Sequence, residues 1–269
     1  MTPKNSLKPI GIFDSGVGGL TVAKEIMLAM PQQPLVYFGD CLKAPYGDRT
    51  DEELLQFSRR IVDFLLAKDV GDIVVACGTI STRIFPQMRE FVPNHIPVYE
   101  MLSAGAKSVT GASKTGKIGV IATEGSVASG AFERAILSIR PDSEVKSVAC
   151  PLFVPLVEEG WVDNGVADLT AQIYLEEFAK SGIDTLLLGC THYPLLSKSI
   201  SKALPWVNLV NPAKYIANSL DKTDLNCPNS PIHQFYVSAK QEKFDKIAKN
   251  ILPVFDKGSV LAQAKTLAN

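Results

Sequence analysis

The sequence predicts an α/β protein made of two pseudo-symmetric, doubly wound halves with mostly parallel sheets. Three observations predict it. Strand-length apolar runs alternate with longer amphipathic stretches, most of the runs are rich in Val, Ile and Leu without polar alternation, and two stretches of sequence recur in the same order. Strands buried on both faces read as unbroken apolar runs, and strand–helix alternation is the pattern of parallel sheets.

The expected strands are Pro9–Phe13, Pro34–Phe38, Ile73–Cys77, Val98–Glu100, Lys117–Ile121, Glu144–Ala149, Thr185–Gly189, Asn208–Asn211 and Gln234–Val237. Between them lie expected helices at Leu20–Met30, Asp51–Ala67, Ile80–Phe91, Ser129–Ser138, Ala167–Ser181, Leu195–Leu204 and Lys240–Ile251. Thr50 followed by Glu53 reads as a capping box, and Gly182 as a helix stop. Pro86 threatens the helix from Ile80.

The recurrence divides the chain. IGIFDSGVGGL (Ile10–Leu20) is echoed by IGVIATEGSVA (Ile118–Ala128), and IVVACGTI (Ile73–Ile80) by LLLGCTHY (Leu186–Tyr193). The offsets are 108 residues from Ile10 to Ile118 and 113 from Cys77 to Cys190. Two related halves follow. They are expected at 1–98 plus 210–269 and at 99–209, the last part of the chain returning to the first half. The site is expected in the cleft between them.

Composition narrows the function. The 269 residues are 46% hydrophobic, enough for a large core, and formal net charge is −1. That balance gives no electrostatic case for nucleic acid or an anionic membrane. No apolar run approaches the ~20 residues of a membrane span. The N-terminal residues lack an apolar signal region, and five widely spaced cysteines do not form a disulfide framework. A reducing cytoplasm is the expected location.

In parallel α/β sheets ligands bind beyond the carboxyl ends of the strands. DSGVGG (Asp14–Gly19) is expected to bring backbone close to a ligand and aim helix N–H groups at it. The hydroxyls of Ser15, Thr79, Thr123, Ser126 and Thr191 suit a carboxylate. Cys77 and Cys190 each end an apolar strand ahead of an expected helix start, a position that lowers a thiol pKa. Two thiols facing each other across a cleft suit the inversion of a carbon centre. A thiolate removes a proton from one face, and the opposite thiol returns one to the other. The spacing of Cys and His shows no metal-binding pattern, and no pyridoxal lysine motif is evident.

FDSGVGGLTV (Phe13–Val22), GDxxxxPYG (Gly39–Gly47), CPLFVPLVEEG (Cys150–Gly160) and LGCTHYPLL (Leu188–Leu196) resemble the cofactor-independent glutamate racemases of the aspartate/glutamate racemase superfamily. The resemblance runs to about Pro212. It implies Cys77 and Cys190 as the two acid/base residues, Asp14 assisting Cys77, and His192 assisting Cys190. It also implies Glu158 as an aid to proton transfer. Asp14, Ser15, Tyr46, Gly47, Thr191 and His192 would contact substrate, with Gly78, Thr79, Thr123 and Ser126 completing the binding surface. No cofactor or metal is implied; glutamate is the substrate, a homodimer the assembly, and D-glutamate for peptidoglycan the role. Two departures stand out. Gly78 replaces the usual asparagine of a Cys-Asn-Thr triplet, so side-chain bonds to substrate give way to a backbone N–H or water. Pro97–Gly105 lacks the usual proline before its glycine. Alternatives are an aspartate or related acidic amino-acid racemase, a thiol redox protein or cysteine hydrolase, and a glutamate-binding relative without turnover. The absence of a Cys-x-x-Cys pair disfavours redox chemistry.

Overall fold

The computed structural model describes residues 7–220 and 231–252, and the backbone of 260–263. The first part of the chain runs β1 (Ile10–Asp14), α1 (Leu20–Ala29), β2 (Leu35–Gly39), α2 (Asp51–Leu66), β3 (Asp72–Val75), α3 (Gly78–Arg83), α4 (Phe85–Arg89) and β4 (Val98–Glu100). It continues with α5 (Met101–Ala112), β5 (Lys117–Ala122), α6 (Glu124–Ala128), α7 (Ala131–Ile139), β6 (Glu144–Ala149), α8 (Phe153–Glu158), α9 (Gly165–Leu175) and β7 (Thr185–Leu188). The last elements are α10 (Ser197–Ala203), β8 (Asn208–Val210), α11 (Pro212–Ser219), β9 (Gln234–Val237), α12 (Gln241–Ile251) and β10 (Val260–Gln263).

Two open sheets result, of order β10-β9-β2-β1-β3-β4 and β6-β5-β7-β8, and every pairing is parallel. The sequence echo has a topological counterpart. β2-β1-β3-β4 and β6-β5-β7-β8 share one order, so β1 matches β5 and β3 matches β7. β1 is buried along its whole length, as its unbroken apolar run requires. The last part of the chain does return to the first sheet: Gln234 pairs with Val36, and the Phe244 ring packs 5.8 Å from the Tyr37 ring.

Local chemistry explains where the elements begin and end. Thr50 Oγ1 accepts from Glu53 N at 3.2 Å while Glu53 Oε2 accepts from Thr50 N at 2.9 Å, closing the expected capping box. The helix expected over Ile80–Phe91 breaks into α3 and α4 at Ile84 (φ −132°, ψ 9°), two residues before Pro86, which cannot donate to a helical carbonyl. The segment expected from Ser129 begins at Ala131 instead, after Gly130 in the left-handed region (φ 62°). A 3₁₀ turn, Tyr193–Leu196, opens the helix expected from Leu195, and another, Glu176–Phe178, follows α9.

Candidate active site

The carboxyl ends of the two sheets face one cavity. From the first sheet come Ser15 after β1, Tyr46 and Gly47 beyond β2, and Cys77, Gly78 and Thr79 after β3. From the second come Thr123 after β5, Glu158 on α8, and Cys190, Thr191 and His192 after β7. Both sulfur-bearing residues therefore open onto the same space. Cys77 and Cys190 are only 4% and 7% exposed. The cavity is narrow, with a volume of ≈ 30 Å³. Two expected site residues stand behind this wall. Asp14 is fully buried beneath it, and Ser126 bonds to Thr123 from the rear.

The DSGVGG turn does not work as the sequence suggests. Its N–H groups at Gly16 and Gly19 both donate to Asp14 Oδ2, at 3.0 Å, so the chain's own side chain holds the anion position at the start of α1. Gly18 and Gly19 admit protein groups, whereas a β-carbon on Gly16 would meet nothing closer than Glu158 Oε1 at 3.8 Å. A β-carbon on Gly18 would fall 2.4 Å from both His192 Nδ1 and Thr191 Oγ1. The turn is thus the socket into which the Cys190 loop docks. Thr21 Oγ1 donates to the Thr191 carbonyl at 2.9 Å, and Thr191 Oγ1 donates to Asp14 Oδ1 at 3.3 Å.

The thiols also differ from expectation. Burial pushes the Cys77 thiol up to about 12, the charge of Asp14 adding to it, against the backbone N–H groups of Ile80 and Thr79 and the Ser15 hydroxyl. Cys190 is raised by burial as well, opposed by the His192 N–H. The physical reason is the weakness of the helix starts. α3 has six residues, and the turn nearest Cys190 is 3₁₀ before it runs on into α10, so few well-aligned dipoles at the sulfurs oppose the loss of hydration. Burial therefore favours the neutral thiol at both sulfurs.

Proton-handling groups flank Cys190. Its Sγ lies 3.7 Å from His192 Nδ1, and His192 Nε2 faces Glu158 Oε1 at 3.9 Å with no hydrogen-bond partner. Burial lowers the His192 pKa, while the charges of Asp14 and Glu158 pull it upward, so the imidazole rests neutral. On the Cys77 side, Tyr46 donates its hydroxyl proton to Asp40 Oδ2 at 2.7 Å, and Ser238 Oγ donates to Asp40 Oδ1 at 2.7 Å. The returning C-terminal segment thus fixes a cavity residue through Asp40.

Hydroxyls close the seam between the two sets of loops. Thr79 Oγ1 and Thr123 Oγ1 are 3.4 Å apart, Thr82 Oγ1 donates to Ser126 Oγ at 3.0 Å, and Thr123 Oγ1 donates to Ser126 Oγ at 3.0 Å. Arg83, paired with Asp51 at 2.6 Å, reaches the Gly47 carbonyl at 3.5 Å.

The pattern of the Asp/Glu/Hydantoin racemase family matches residues 21–220. The chain belongs to that family. It is similar to the glutamate racemase of Geobacter metallireducens, 43% identical over 252 residues that cover 91% of this chain and 93% of that one. Among solved structures it resembles a glutamate racemase isoform of Bacillus anthracis, with a TM-score of 0.89, 33% identity, and 97% and 99% of the two chains covered. It also resembles the glutamate racemase of Francisella tularensis in complex with D-glutamate, with a TM-score of 0.85, 34% identity, and 95% of each chain covered.

Within this racemase, some cavity and supporting residues escaped sequence reasoning. Val154 and Gly189 line the wall, and Thr82, Arg83 and Ser238 support it. Val154 sits in the CPLFVPLVEEG motif, the only signal that could have found it. Ser238 lies in a segment without a motif. Cys41 and Cys150 are buried and unpaired, and burial raises each thiol to about 12. Cys227 falls outside the described residues. Among the described residues no three His, Cys, Asp or Glu side chains gather as a metal site.

Proposed function

We propose that this chain interconverts L- and D-glutamate by proton transfer between two cysteines. One observation carries the reading: Cys77 and Cys190, from matched strand ends of two sheets, open onto one buried cavity. Glutamate lies between the two sets of loops, its carboxylate groups met by hydroxyls of Ser15, Thr79, Thr123 and Thr191 and by backbone N–H groups. The substrate's ammonium group enters between two raised thiols and offsets part of the desolvation that keeps them neutral.

One cysteine, as thiolate, takes the α-proton. An S–H bond forms, the C–H bond breaks, and the electron pair moves toward the α-carboxylate. The opposite cysteine, as thiol, gives its proton to the other face of the carbon and is left as thiolate. Each turnover exchanges the protonation states of the sulfurs, so the product complex is set for the reverse reaction. Before the first step one thiol gives up its proton, to His192 with Glu158 behind it on the Cys190 side or to Asp14 on the Cys77 side, and the same group returns it when the site resets. Closing the cleft excludes water from the carbanion-like species.

The two halves are proposed as 1–98 plus 210–269 and 99–209; the strands fall into two sheets in that order, with β4 (Val98–Glu100) wholly in the first and β8 (Asn208–Val210) wholly in the second. A homodimer, a cytoplasmic location, independence from cofactors and a supply of D-glutamate for peptidoglycan complete the proposal. Among the described residues no helix is long and apolar enough to cross a membrane.

The test is circular dichroism of L-glutamate with the purified protein, with and without chelator, beside a panel of other amino acids. Loss of signal for glutamate, unaffected by chelation, supports the reading. Racemisation of aspartate but not glutamate would move the assignment to the related enzyme.

A further inference from the structure

We propose that Gly78 is a positioning residue: the absence of its side chain sets how closely the two cysteine-bearing loops approach when the cleft closes. The inference rests on the racemase reading above and assigns this residue a part in it beyond substrate contact.

Gly78 directly follows Cys77, and Gly189 directly precedes Cys190. A β-carbon on Gly78 would lie 2.4 Å from the Gly189 carbonyl oxygen, 3.5 Å from its carbonyl carbon and 3.8 Å from the Cys190 α-carbon. All three neighbours are backbone, so no rotamer change relieves the overlap. Nor can the Gly189 peptide retreat freely. Its N–H donates to the Ile121 carbonyl at 2.7 Å, and a β-carbon on Gly189 would itself stand 2.9 Å from that oxygen and from a Phe132 ring carbon. The Cys190 loop is therefore fixed against its own sheet, and the Cys77 loop meets it backbone to backbone.

The contact lies on the seam that the hydroxyl pairs Thr79–Thr123 and Thr82–Ser126 hold shut. A second glycine on that seam behaves alike: a β-carbon on Gly125 would lie 3.2 Å from the Gly47 carbonyl. The narrowness of the cavity means the seam opens to admit an amino acid and closes for chemistry. Gly78 is a stop for that closure. Moving an added β-carbon from 2.4 Å to an ordinary contact pushes the loops apart by about 1 Å, and a displacement of that size costs about 100-fold in a positioned reaction. The asparagine usual in the family pattern at this position would therefore not restore activity here.

The experiment compares the full-length chain with Gly78→Ala and Gly78→Asn. Inversion of L-glutamate is measured beside α-deuterium incorporation into recovered L-glutamate. Loops held apart leave one sulfur able to exchange a proton on its own face but deny the opposite sulfur its target. Inversion is expected to fall about 100-fold and exchange less than about 10-fold, so that their ratio rises at least about 10-fold. Gly111→Ala, with nothing within 4 Å of its added carbon, keeps both rates. Inversion within about threefold of the unaltered chain, or both rates falling in step at an unchanged melting temperature, overturns the proposal. A second readout does not need turnover. Gly78→Ala should speed iodoacetamide labelling of Cys77 and Cys190 at least about threefold without exposing Cys41 and Cys150; unchanged labelling overturns closure control. Should that variant not fold, Ser126→Ala, which removes the acceptor that Thr82 Oγ1 meets across the seam at 3.0 Å and leaves Thr82 its Gly78 carbonyl at 2.9 Å, is expected to speed the same labelling, and no change there refutes the seam. If the unaltered chain neither inverts nor exchanges glutamate, the racemase reading fails, and the labelling result still decides the closure claim.

Discussion

Raising the pH of the protein without substrate should show that neither Cys77 nor Cys190 is a thiolate in the neutral range. Cys77 is pushed up to about 12, by burial first and by the Asp14 charge second, from an ordinary value near 9. At pH 8 the thiolate fraction is then on the order of 10⁻⁴, against about one in ten for an exposed thiol. The gap of about three pH units is worth about 4 kcal/mol at 1.36 kcal/mol each. Below the ordinary pKa the folded and unfolded chains carry the same neutral thiol, and stability falls as pH climbs from about 9 towards about 12, where the unfolded chain ionises and the folded one resists. The assay is thiolate absorbance near 240 nm, titrated from pH 6 to 11 and taken as the difference between the unaltered chain and Cys77→Ser. No step is expected below about pH 10. A step with a midpoint between 8 and 9 would refute the burial argument and favour the helix-start effect. Adding substrate should move the step downward, because an ammonium group then faces the sulfur.

Other outcomes follow from the same geometry. Gly18→Ala should destabilise the protein by about 1–3 kcal/mol in denaturant unfolding, since its new carbon overlaps His192 and Thr191 at 2.4 Å. Asp40→Ala should raise KM and lower kcat by freeing Tyr46, while leaving the thiolate titration of Cys77 in place. At Asp184, burial raises the pKa, but the Ser113 hydroxyl and the N–H groups of Thr115 and Lys114 outweigh it and hold the carboxyl well below its usual range. Asp184→Ala should therefore cost about 1 kcal/mol at neutral pH, and the deficit should shrink as pH falls below about 4, where the native carboxyl starts to lose its advantage.

Strand positions were legible because parallel strands buried on both faces leave unbroken apolar runs, as in Ile10–Asp14 and Thr185–Leu188. The repeated halves were legible because the echo covers the strand and the turn after it. Helix α5 was missed. It is rich in small residues, a β-carbon added at Gly105 would lie 3.2 Å from the Leu187 and Phe132 side chains, and it starts on a Glu100 side chain that accepts from Leu102 N and Ser103 N, a cap no motif announces. Helices α6 and α8 are five and six residues long, too short for a period to register. Strand β10 is a four-residue run that sequence reasoning passed over. In the site, motifs located the residues but not their environment. A strand-end cysteine before a helix reads as an activated thiol, whereas its depth in the folded protein decides the opposite. A glycine-rich turn reads as a ligand cradle, whereas Asp14 already fills it.

The measurement that bears most directly on the two-base mechanism is α-proton exchange in deuterated water by Cys77→Ala and Cys190→Ala, each offered L- and D-glutamate separately. Each variant should lose racemisation yet retain exchange of a single enantiomer, and the two should retain opposite ones. Racemisation persisting in either variant, or both exchanging the same enantiomer, would mean that the sulfurs do not serve opposite faces of one carbon.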